Sequence, residues 1–93
     1  MHFTWDERKN ALNKAKHGIR FETALLAFDD PLHLSRLERV VGGEERWQTL
    51  GSAGGVVLIL VAHTYRDHAG QESVRIISAR KATAHERKLY EQG

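Results

Sequence analysis

None of the chain's 93 residues is a cysteine. That removes disulfide frameworks, thiolate zinc sites, iron–sulfur clusters and thiol catalysis together. Proline occurs once, at Pro31, and no repeat, low-complexity tract or Pro/Ser-rich linker breaks the sequence. The longest uncharged apolar stretch, Gly54 to Ala62, falls well short of the roughly 20 residues a membrane helix needs. The opening Met1-His2-Phe3-Thr4-Trp5-Asp6-Glu7 lacks the basic-then-apolar layout of a secretion signal, so a cytoplasmic protein with no membrane contact is expected. A phosphate-binding loop is missing too, because Gly51-Ser52-Ala53-Gly54-Gly55 has neither the lysine nor the following helix. Ser78 sits in an apolar run without a nucleophile elbow. The six histidines show no metal-binding spacing; the fold can bring His63 and His68 together, but no further ligands suggest themselves. No metal and no cofactor is expected.

What is present fits one small domain spanning residues 1–93, with 41% hydrophobic and 28% charged residues. The net charge of +2 hides an uneven distribution. Residues 1–20 carry five Lys/Arg against two acids, residues 21–71 four against seven, and residues 72–93 five against three. Positive charge therefore gathers at the two chain ends, which a fold can bring together against a polyanion.

Phe3 and Trp5 alternate with polar neighbours, as in a short strand, and Thr4 to Glu7 matches a capping box. A helix from Asp6 to Lys16 is predicted, ended by His17-Gly18, with a narrow apolar stripe (Ala11, Leu12, Ala15) and a basic face including Lys9 and Lys16. Phe21, Ala24, Leu25 and Phe28 repeat at helical spacing and predict a core-facing helix stopped by Asp29-Asp30-Pro31. Four strands follow: Leu32 to Leu37, Glu44 to Leu50, Val56 to Tyr65 and Glu72 to Ala79, with turns at Gly42-Gly43 and Gly51 to Gly55 and a loop at Arg66 to Gln71. Thr83-Ala84-His85-Glu86 is a second capping box, opening a short last helix to Tyr90. The order predicts an α+β fold: an antiparallel meander of about four main strands with a short extra N-terminal strand, two N-terminal helices and a short C-terminal helix, the helices on one face.

Three segments offer chemistry. His17, at the end of a basic helix, can move a proton near neutral pH or merely interact with the helix's last carbonyls. In Glu44-Glu45-Arg46-Trp47, alternation sets Glu45 with Trp47 and Glu44 with Arg46; one glutamate can serve as a base with Arg46 on a phosphate, or the group is an exposed hairpin end. Arg75-Ile76-Ile77-Ser78-Ala79-Arg80-Lys81-Ala82 brackets an apolar strand with arginines that strict parity sets on opposite faces. Arg80 and Lys81, just before a helix N-terminus, suit an anion, and Arg66 ends the neighbouring strand.

At these residues the sequence resembles the BrnT family of toxins from bacterial type II toxin–antitoxin pairs. The resemblance runs from Phe3-Thr4-Trp5-Asp6-Glu7 with Lys9-Asn10 and Asn13, through Lys16-His17-Gly18-Ile19, Phe21, Ala24 and Phe28-Asp29-Asp30-Pro31, to Glu45-Arg46, Gly51, Arg75 to Ala82, Glu86 and Tyr90. It implies a RelE-like fold, RNA cleavage that blocks translation, and an antitoxin of the BrnA type whose ribbon-helix-helix part binds operator DNA, so that DNA contact is indirect. RNA carries its own nucleophile, the 2′-OH, so a site without cysteine or metal can cut it. Such a site needs a base, cations on the phosphorane and a donor to the leaving oxygen. His17 or Glu45 is a candidate base, Arg66, Arg75 and Arg80 are candidate phosphate ligands, and Tyr90 or His17 a candidate acid. Lys9, Lys16, Arg46 and Lys81 are candidate substrate contacts. The alternative reading is a non-catalytic basic module for RNA or protein.

Overall fold

A computed structural model describes the backbone of residues 1–93 and every side chain except that of His68. The elements are β1 (His2–Thr4), α1 (Glu7–His17), α2 (Phe21–Asp29), β2 (Leu34–Val41), β3 (Glu44–Ala53), β4 (Val57–His68), β5 (Gln71–Lys81) and α3 (Ala84–Gln92). This is the expected α+β order. The strands form one five-stranded sheet in the order β1-β5-β4-β3-β2. The last four pair antiparallel, as consecutive strands with tight turns do, while β1 runs parallel to β5. The parallel β1 makes the sheet mixed. Strands β3, β4 and β5 also reach further than their apolar runs predict, so the turns shrink to a few residues around Gly54-Gly55 and Ala69-Gly70.

The core lies between α1–α2 and one face of the sheet. Phe21, Ala24 and Ala27 from α2 meet Ile59, Val61, Val74, Ile76 and Ala79, all essentially without solvent exposure. The period-3.6 stripe of α2 thus finds the period-2 row of the strands. Gly51 explains how closely α2 approaches β3: a Cβ there would run into the Ala27 carbonyl oxygen.

The anchoring of α1 differs from expectation. Ala11, Leu12 and Ala15 face solvent, and the buried residues are Asn10 and Asn13. The Asn13 amide donates to the Ile19 and Ala79 carbonyls (2.8 Å each) and accepts from the Ala79 N–H (3.1 Å). Asn10 donates to Glu22 and accepts from the Phe21 N–H, both at 2.8 Å. The N-cap is Asp6, which accepts from the Arg8 and Lys9 N–H groups, because Thr4 is already engaged in β1 opposite Arg75. Gly18 at φ 74° closes the helix as expected.

The third helix does not join the other two. Its capping box at Thr83 and Glu86 forms as predicted. Tyr90, however, packs on Leu50, Leu58 and Leu60, a small second cluster on the opposite face of the sheet. The helix therefore covers one end of that face and leaves the rest uncovered. Among the described residues no helix is long and apolar enough to cross a membrane.

Candidate active site

Alternation makes the uncovered face easy to build residue by residue. On β3 it takes Glu44, Arg46, Gln48 and Leu50; on β4, Leu60, Ala62, Thr64 and Arg66. Across the strands, Arg80, Leu60, Leu50 and Leu34 lie in one register row, and Ser78, Ala62, Gln48 and Arg36 in the next. Rows are about 7 Å apart, two residues of strand. Further along, Arg75 stands opposite Thr64, Arg39 opposite Arg46, and Ser73 opposite Arg66.

A bulge decides which arginines share this face. Ala62 pairs with Ser78 but His63 pairs with Ile76, so Ile77 is an extra residue on β5. The slip reverses parity between Arg75 and Arg80, and both project onto the open face instead of onto opposite ones. Nothing in Arg75 to Arg80 marks that slip, since the bulged residue is an ordinary isoleucine rather than glycine.

Glu44 is the hub of the charges there. Its Oε1 accepts from Arg75 Nη2 and its Oε2 from Arg66 Nη2, both at 3.1 Å, and Arg46 Nε lies 3.6 Å from Oε1. The Arg66 hydrogen bond, with the charges of Arg75 and Arg46, holds the Glu44 carboxyl below the ordinary carboxylate range. Three guanidinium groups around one carboxylate leave two positive charges uncompensated. Beneath them two buried polar atoms, Arg46 Nε and Thr64 Oγ1, have no hydrogen-bond partner among the described residues. The adjoining cavity, about 220 Å³, is lined by Arg46, Gln48, Ala62, Ser78 and Arg80 among others.

Arg80 is held differently. It forms a two-pronged pair with Glu86, Nη1 to Oε1 at 2.8 Å and Nη2 to Oε2 at 3.0 Å. That pairing raises the guanidinium's proton affinity and pushes the Glu86 carboxyl down to about 2. Glu86 also accepts from the Thr83 N–H, so Arg80 clamps the start of α3 while lining the groove.

Arg46, Arg66 and Arg75 therefore meet at Glu44, and Arg80 lies further along the same face, lining one cavity with Arg46, but the other candidates do not join them. His17, Lys9 and Lys16 belong to α1, which lies over the helix-covered face, so the expected pocket built from both chain ends is not formed. Glu45 is exposed and one residue out of phase with the groove; Glu44 faces the arginines instead. Lys81, opposite Ile59, shares the helix-side phase. The Tyr90 hydroxyl donates to Asp30 Oδ2 at 2.5 Å, a bond that raises its pKa and pins α3 to the loop after α2. His63 is a core residue: its Nε2 shares a 2.6 Å hydrogen bond with Thr49 Oγ1, its ring meets Phe28 and Tyr65 edge-on, and burial lowers its pKa to about 4. The His68 side chain, considered beside it as a ligand, lies outside the described residues. Sequence reasoning overlooked Glu86 as the partner of Arg80, and Gln48 and Thr64 in the groove. For Glu44 the signal was available, since alternation already joined it to Arg46.

A helix-backed sheet whose other face holds guanidinium groups defines a small α+β protein with a cationic open face. Residues 5–86 match the family model described as the ribonuclease toxin, BrnT, of type II toxin-antitoxin system. The crystal structure of the Brucella abortus ribonuclease toxin BrnT superimposes with a TM-score of 0.62 at 31% identity, covering 89% of this chain and 97% of that one. No curated protein sequence matches the chain. The chain belongs to the BrnT family of ribonuclease toxins. Membership implies ribonuclease activity, RNA targets and an antitoxin partner.

Proposed function

We propose that this toxin is an endoribonuclease that cuts RNA without a metal ion, on the arginine-lined face, and so blocks translation in the cytoplasm. The observation that carries the reading is the group of Arg46, Arg66 and Arg75 around Glu44. Guanidinium forks match the non-bridging oxygens of a phosphate, and they stabilise the extra negative charge of a phosphorane more than the ground state. The ribose 2′-oxygen attacks the adjacent phosphorus, the bond to the 5′-oxygen breaks, and a 2′,3′-cyclic phosphate and a 5′-hydroxyl remain. Glu44 takes the 2′-OH proton, and water supplies the proton to the leaving oxygen. A carboxylate held in its ionised form is a weak base, so most of the acceleration comes from the arginines. A BrnA-like antitoxin with a ribbon-helix-helix part neutralises the toxin and carries the pair to operator DNA.

The test is the chemistry of RNA ends in EDTA. Discrete fragments with cyclic-phosphate and 5′-hydroxyl ends are expected, and Arg75→Ala reduces their rate about 100-fold. A magnesium requirement or 5′-phosphate ends would overturn the mechanism. Intact RNA that still binds with strong salt dependence would assign the protein to non-catalytic binding instead.

A further inference from the structure

Next to the arginine groove lies a second cavity of about 270 Å³, between α3 and the β2–β3 end of the sheet. Its walls are Leu34, Leu50, Leu60 and Leu89, and its polar lining is Ser35, Arg36, Gln48 and Glu86. It is continuous with the groove, sharing Gln48 and Leu60 with the groove's own cavity. We propose that this slot receives one nucleobase of the RNA and selects guanine over adenine. The substrate class rests on the ribonuclease reading; the selectivity rests on the rim.

The rim presents donors. Arg36 Nε and Nη2 both donate to Gln48 Oε1, at 3.1 and 3.0 Å. Two guanidinium donors fix which end of the amide carries oxygen, so the Gln48 NH2 group is turned away from Arg36 and left to donate. Arg36 keeps its Nη1 hydrogens as well. Of the acceptors in the lining, Glu86 already takes three hydrogen bonds, from Arg80 twice and from the Thr83 N–H, which leaves one site on Oε2, and the Ser35 hydroxyl is paired with Thr49. A base entering between leucine walls buries its apolar faces and must satisfy its edge at this rim. The N7 and O6 of guanine are adjacent acceptors and suit two donors; adenine sets an amino donor where O6 would be. The uncompensated charge of Arg46, Arg66 and Arg75 holds the neighbouring backbone phosphate, one to two strand rows away. This arrangement favours a nucleotide over an uncharged apolar ligand.

Binding and cutting are read separately, with purified protein. The probes for binding are 2′-O-methyl hexaadenylate and the same hexamer with one guanosine; neither can supply the nucleophile. The guanosine hexamer is expected to bind about tenfold tighter, the ordinary worth of one two-pronged base contact. Gln48→Leu and Arg36→Met each bring that preference below about twofold, whereas Arg75→Ala weakens both hexamers alike. Equal affinity for the two hexamers, or a preference that survives both rim variants, overturns the slot. The matching ribo-hexamers report cutting. If they stay intact while the guanosine preference behaves as stated, the cleavage reading fails and the slot stands.

Discussion

The two faces of this sheet are made from the same strands, one residue out of phase, yet they do opposite things. The face beneath α1 and α2 presents Ile59, Val61, His63, Val74 and Ile76, each at or below 1% exposure. Asparagine amides hold the backbone groups of Ile19 and Ala79 there, and Thr49 holds His63 Nε2. The other face carries Glu44, Arg46, Arg66, Arg75 and Arg80, whose partners are one another and α3. A period of two lets stability and chemistry be assigned to alternate residues of one strand. Substitutions should therefore sort by phase rather than by position along the chain.

Phe21→Ala is the hardest test from the stability side. The ring is fully buried among Ile59, Val61 and Ile76, so its loss should cost about 3–5 kcal/mol. Urea unfolding reads that loss, and RNA cleavage per folded molecule should remain within about twofold of the parent, because the ring touches nothing on the open face. Arg75→Ala should show the reverse: a partly exposed ion pair contributes less than about 1 kcal/mol to stability. An Arg75→Ala protein that unfolds as readily as Phe21→Ala would break the division between the faces.

A smaller effect, about 2 kcal/mol, is expected from Asn13→Ala. The substitution leaves the Ile19 carbonyl and both backbone groups of Ala79 without their amide partner, inside the protein. Hydrogen exchange should show α1 loosening before the strands, since Asn13 and Asn10 are the buried residues of α1 among those described. Uniform loosening of α1 and β4 would contradict that anchoring.

The two faces were not equally legible. The core face followed from periodicity: the α2 stripe and the two apolar strands were readable because buried hydrophobic surface has a spacing. Residues held by specific hydrogen bonds have none, so the spacing points to Ala11, Leu12 and Ala15 as the buried stripe of α1, whereas Asn10 and Asn13 are the residues that the protein buries. On the open face the residue types were readable but their meeting was not. Four arginines singled out from the sequence lie on this face, yet strict alternation sets Arg75 and Arg80 apart, and the extra residue at Ile77 returns them to one side. The charge at both chain ends suggests a place for His17 beside the arginines, but that charge is a property of sequence order, and the layering of α1 over the far face undoes it.

The gentlest separation of the two faces uses pH. His63 sits in the core with its pKa lowered to about 4 by burial, from an ordinary 6.5. Between those values the unfolded chain binds a proton that the folded one refuses, so stability falls as pH drops through that window. Glu44, held below the ordinary carboxylate range by Arg66 and its neighbours, stays ionised between about pH 7 and 5. Urea midpoints should therefore decline from about pH 7 to 5, and His63→Gln should flatten part of that slope. Cleavage per folded molecule should stay level over the same range, because neither the arginines nor Glu44 changes charge there. An inflection in turnover near the ordinary imidazole value would sink this assignment: it would mean that a histidine moves the proton after all, and that the groove is not the whole of the chemistry.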